Sequence, residues 1–262
     1  MSNLRIRRSE VFKLLSVIPL TILGQIVELY SFIRKQPISE DNSFENVFYG
    51  MIFEDAYQKE DSTFSYTLFA LAIPIIFSIF YGAYLYKDLH IKNIYKFVRE
   101  KSRMKWYLKN LFRLVLITLT FCGIWLFIVY IISVVNTGAG INGYTLKNFF
   151  ICYITISEYT FVTTLMVNIF SFFFGTAISF VIVYFIIGLL YYITVNFESI
   201  TIFGTKVDIS KINIVDNTML TWQDKIDFTC IIVNMVYIII CVAIIGVIIS
   251  KVDIGLKDKE NL

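Results

Sequence analysis

Six long apolar runs divide the chain, over residues 14–33, 65–86, 111–135, 149–170, 176–195 and 228–250, with polar or charged stretches between them. Each is close to the ~20 apolar residues that carry an α-helix across ~30 Å of hydrocarbon at ~1.5 Å per residue. Water cannot satisfy backbone N–H and C=O groups inside lipid, so a spanning segment is either a helix or part of a closed barrel. A barrel strand alternates polar and apolar residues, and a stretch such as 186–192 (IIGLLYY) does not. The pattern predicts an all-α, polytopic integral membrane protein with six transmembrane helices in one membrane domain, residues 1–262.

The polar stretches set the expected orientation. With six spans both termini share a side, and most of the 23 Lys and Arg residues fall on it: Arg5, Arg7, Arg8 and Lys13, then nine between Lys87 and Arg113, then Lys251, Lys257 and Lys259. The opposite loops, 34–64 and 196–227, carry most of the acid, including Glu40, Asp41, Glu45, Asp208, Asp216 and Asp224. Basic loops stay in the cytoplasm, so both termini are expected inside and the two acidic loops outside. Residues 171–175 (SFFFG), between the fourth and fifth runs, hold no charge. One helix through both runs would be ~70 Å long, so a tight reversal is expected there.

Composition agrees with this picture: 57% of residues are hydrophobic and only 16% charged, against about a quarter charged in an ordinary soluble domain. The first run follows basic residues as a signal peptide would, but it continues through Pro19, Gly24 and Glu28 without an evident small-residue cleavage site, so an uncleaved span is expected. Pro19 and Pro74 are expected to kink the first two spans. Cys122, Cys152, Cys230 and Cys241 all fall in apolar runs, with spacing that suits neither a metal site nor a disulfide framework.

Between the spans, residues 1–13 mix Leu4, Ile6, Val11 and Phe12 with basic residues, the pattern of an interfacial elbow helix. Residues 87–113 form the longest cytoplasmic segment. On a helix, Lys92, Lys96, Arg99 and Arg103 make one basic stripe, while Ile91, Ile94, Tyr95 and Val98 supply an apolar side. Such a segment suits docking on a soluble partner and equally suits anionic headgroups, where each basic residue is worth about 1 kcal/mol. In the 196–227 loop, 200–203 and 209–215 are too apolar for free solvation, which suggests a segment folded back on the outer membrane face.

The chain offers little for catalysis. It has no P-loop, H-E-x-x-H or C-x-x-C motif, and its one histidine, His90, lies in the basic loop. No metal site and no nucleic-acid-binding motif is indicated, and the chain is not expected to be an enzyme or to bind a cofactor itself. Glu158 stands out instead, near the middle of the fourth span, where a carboxylate costs ~2.5 kcal/mol or more. Ser157, Thr160, Thr164 and Asn168 form a polar stripe on that helix, which Glu158 borders at roughly 100° from Ser157. Two roles stay open for these five residues: a cavity that meets cationic substrate, or structural hydrogen bonding around a protonated or paired acid.

A basic elbow with Arg5, Arg7 and Arg8, six spans with both ends inside, a basic loop ending in SRMKWYLKN (102–110) and a semi-apolar outer segment before the last span together resemble an ABC-2 type transporter permease. The 34–64 loop and the short chain are most similar to the small permeases of bacterial bacteriocin and lantibiotic immunity or export systems. The resemblance implies a multi-pass protein of the bacterial cytoplasmic membrane, a separate ATPase that binds ATP-Mg and docks on the elbow and the 87–113 loop, and a second permease subunit. It also implies a peptide or other amphipathic substrate. The remaining alternative is a non-transporting immunity or scaffold protein that binds a peptide or partner at the membrane.

Overall fold

In a computed structural model of the protein, the described residues are 43–53, 72–89, 103–197, 199–202, 205–208, 212–220 and 228–251. They form helices α1 (Phe44–Phe53), α2 (Ala72–Tyr81), α3 (Arg103–Thr137), α4 (Gly143–Phe174) and α5 (Thr176–Asn196), strands β1 (Ser199–Ile202) and β2 (Thr205–Asp208), and helices α6 (Ile214–Thr218) and α7 (Phe228–Lys251). Helices α3, α4 and α5 and Cys230–Lys251 of α7 are long and apolar enough to cross a membrane. The chain is therefore a helical, multi-pass membrane protein, and these four helices coincide with the third to sixth apolar runs. The first run, residues 65–71 of the second, the elbow and both termini lie outside the described residues.

The chain divides into two compact units, Met1–Ile73 with Thr120–Tyr153 and Pro74–Leu119 with Ile154–Leu262, so α3 and α4 each contribute to both. In the first unit, α1 starts at Ser43, whose hydroxyl accepts from the Asn46 amide as an N-cap does. Of its ten residues, eight are buried. The Phe44 and Phe48 rings stack at 5.3 Å, and Tyr130 of α3 meets Phe44 edge-on at 5.7 Å and Phe149 of α4 at 5.2 Å. Polar ties accompany this aromatic core: Asn148 donates to Glu45 at 2.8 Å, and Tyr130 and Thr145 share a hydrogen bond of 3.0 Å. The described part of the acidic 34–64 loop is thus a helix packed into the protein. Beyond α3 the chain turns through Gly138 at φ 65°, a left-handed position that suits glycine. Asn142 then caps α4, its Oδ1 accepting from Tyr144 and Thr145.

In the second unit, α2 is interrupted at Gly82 and Ala83, eight residues after Pro74, and helical backbone resumes over 84–89. A Cβ on Gly82 would stand 2.9 Å from Val167 Cγ1 of α4 and 3.0 Å from Phe180 Cζ of α5, so glycine permits a close approach of three helices. A straight helix would hold Val167 and Phe180 ~20 Å apart. Their meeting at one point shows that the chain folds back at Gly175, the single residue between α4 and α5, with φ 76° and ψ 172°. The reversal expected over 171–175 is this one glycine.

The segment before α7 also packs on the protein. Strands β1 and β2 pair antiparallel, from Ser199 opposite Asp208 to Ile202 opposite Thr205. The short α6 packs against α5 and α7. Asn213 caps α6 by accepting from Val215, while its Nδ2 donates to Leu190 O, at 2.7 Å, and to Thr194 Oγ1 of α5. Tyr237 of α7 donates to Ile212 O at 3.0 Å. Residues 213–220 are all buried, including Asp216 and Asn217.

Candidate functional site

Helix α4 positions the polar stripe, and it is the most enclosed of the four candidate spans, with 72% of its apolar window buried against 28% in α5 and 22% in α7. An enclosed span can hold polar side chains because it presents them to protein rather than to lipid. Ser157, Glu158, Thr160, Thr164 and Asn168 are all buried.

Hydrogen bonding divides the stripe in two. Thr160 and Thr164 return their hydroxyls to the carbonyls one turn back, Ile156 O and Thr160 O, both at 2.7 Å. Asn168 uses both ends of its amide: Nδ2 donates to Thr164 O at 2.8 Å, and Oδ1 accepts from the backbone of Leu85 at 2.9 Å and of Tyr86 at 3.3 Å. Thr163, on the neighbouring face, shares a 3.4 Å hydrogen bond with Ser78 of α2. These residues join α4 to itself and to the interrupted α2.

Ser157 and Glu158 differ. Glu158 is 5% exposed, and its carboxyl faces the side chain of Asn234 on α7, which is fully buried. Among the described residues, neither carboxyl oxygen, neither polar atom of the Asn234 amide, nor Ser157 Oγ has a hydrogen-bond partner of good geometry. The basic residues on these two helices, Lys147 and Lys251, stand about 16 Å from Glu158 and 26 Å from Asn234 along the helix axes. A protonated Glu158 can donate to Asn234 Oδ1 and accept from Nδ2, which satisfies both groups. Ionised, it accepts from Nδ2 and leaves a buried negative charge that calls for a cation from outside the pair.

Asn234 was not among the residues singled out from the sequence. Its signal is present, since it is an amide within an otherwise apolar span, but a neutral amide stands out less than a carboxylate and nothing in the sequence pairs it with Glu158.

Of the basic-loop residues, Ile91, Lys92, Tyr95, Lys96, Val98 and Arg99 lie outside the described residues. Arg103 is the first residue of α3 and is exposed. From it the helix continues unbroken through Thr137. Trp106, Tyr107 and Asn110 are buried on one side of this basic end, and Tyr107 donates to Val242 O of α7 at 2.7 Å. Lys105, Leu108, Lys109 and Phe112 are exposed on the other side, while Arg103 heads the buried side at the helix's exposed first residue. No group of His, Cys, Asp and Glu among the described residues suits a metal ion.

No protein-family model matches the sequence, and comparison with curated proteins and with solved structures gave no match.

Proposed function

We propose that this chain is the membrane-spanning permease subunit of an ABC exporter in the bacterial cytoplasmic membrane, paired with a second permease subunit and driven by a separate ATPase that binds ATP-Mg. The substrate is a cationic amphipathic molecule, a peptide above all, and the role is export or immunity. The observation that carries this reading is α3: its basic end, Arg103–Arg113, belongs to the same 35-residue helix as the third apolar run. A partner seated on the basic loop thereby grips a rigid extension of a span rather than a slack tether. Pinning of that extension to α7 through Tyr107 favours transmission of a push over bending. Glu158 beside Asn234, when ionised, supplies a buried negative charge suited to the cationic part of a substrate.

Co-purification tests the reading. The wild-type chain, expressed with its candidate ATPase, is expected to bring the ATPase through detergent extraction, and the double reversal Arg99→Glu/Arg103→Glu should cut recovery by tenfold or more, about 1.4 kcal/mol, with membrane insertion intact. Full recovery of the ATPase after that reversal and after Lys92→Glu/Lys96→Glu would remove the loop as docking element and leave the non-transporting scaffold as the better reading.

A further inference from the structure

The interruption of α2 carries an inference that rests on the exporter reading. A helix that restarts leaves its first N–H groups without intrahelical partners, and a side-chain acceptor at the N-cap normally takes them. Here the residue at that position is Ala83, which has no acceptor. The N–H groups of Leu85 and Tyr86 go instead to Oδ1 of Asn168, ten residues along α4 from Glu158. Asn168 Nδ2 is held by Thr164 O, which fixes the amide with its oxygen towards α2. One turn before the break, Ser78 is tied to Thr163 of the same helix. Gly82 sits between the two ties and allows the close approach, since any Cβ there would collide with Ser78 O, Val167 and Phe180. α2 is thus interrupted at one point and fastened to α4 on both sides of it.

We propose that Asn168 is a positioning residue that clips helical residues 84–89 to α4, so that movement of the chain entering the basic loop is handed to the helix that carries Glu158. Leu85 is fully buried, so its amide has no water to exchange for the Asn168 oxygen. Displacing 84–89 therefore either draws α4 along or breaks a buried cap. The Glu158 level lies ~15 Å further along the same helix, close enough for a rigid α4 to move it.

The test uses the permease–ATPase complex in detergent, with the four native cysteines replaced by alanine and Ser157→Cys as reporter beside Glu158. The labelling rate by a small maleimide is compared with and without ATP-Mg and vanadate. ATP is expected to change the rate at least roughly fivefold with Asn168 present, and less than about twofold in Asn168→Leu although the ATPase still co-purifies. Asn168→Asp, which retains the capping oxygen, should restore the response. A wild-type response in Asn168→Leu, or its equal loss in Asn168→Asp, overturns the proposal. If no ATPase co-purifies even with the unaltered chain, the exporter reading is what fails. The clip is then judged on the isolated chain by amide exchange at Leu85 and Tyr86: faster exchange in Asn168→Leu supports it, and unchanged protection refutes it.

Discussion

Glu158 and Asn234 form the pair in which burial and hydrogen bonding are most at odds. A lone buried polar group costs ~1–3 kcal/mol when its partner is removed, whereas replacing both partners by apolar groups of similar shape is close to neutral. With Glu158 protonated and bonded to Asn234, Asn234→Leu alone and Glu158→Leu alone should each lower stability by about that amount, while the double substitution recovers most of the loss. Glu158→Gln, which still offers one donor and one acceptor to Asn234, should stay within ~1 kcal/mol of the original chain. Thermal unfolding of the purified variants in one detergent measures all four, and strictly additive losses would mean that the two side chains do not interact. At this scale the sequence was only half legible. Glu158 is conspicuous because an acid in an apolar run is expensive. Thr160 and Thr164 stand on the stripe that helical spacing predicts, yet their hydroxyls bond to their own helix, and spacing alone does not distinguish that use from facing a cavity.

Among elements, the long helices were legible and their ends were not. The apolar runs at 111–135 and 149–170 became α3 and α4, but α3 is already helical at Arg103 and α4 starts at Gly143. An apolar run marks where the hydrocarbon ends, whereas a helix continues while its flanks keep helix-forming residues and a packed side, as Trp106 and Tyr107 provide. The break at Gly82 was hidden for a different reason: it depends on Val167, Phe180 and Asn168, none of them near in sequence. Helix α1 was hidden by its surroundings, ten mostly apolar residues inside an acidic loop and too short to span. Its burial has a direct consequence. Phe48→Ala should destabilise by roughly 3–5 kcal/mol, because it empties a fully buried site, while Phe185→Ala on the exposed face of α5 should cost under about 1 kcal/mol. Equal melting temperatures for the two variants would mean that α1 is not part of the packed unit.

At the level of the whole molecule, the charge asymmetry of the loops predicts that Ser43 is outside and Ser102 inside. In a cysteine-free background, Ser43→Cys should react with a membrane-impermeant maleimide added to intact cells, and Ser102→Cys should react only after the membrane is opened. The reverse pattern would invert every assignment of loop to partner. Transport is the more direct measurement. The chain and its co-purified ATPase, reconstituted into liposomes, are expected to move a fluorescent lysine/leucine amphipathic peptide to the opposite face only when ATP-Mg is supplied on the side of the basic loop. Movement should fall by tenfold or more in Arg99→Glu/Arg103→Glu, about 1.4 kcal/mol of lost coupling. Peptide that binds the reconstituted complex but stays on one face whether or not ATP is hydrolysed would contradict the exporter reading and leave a membrane protein that captures its ligand without moving it.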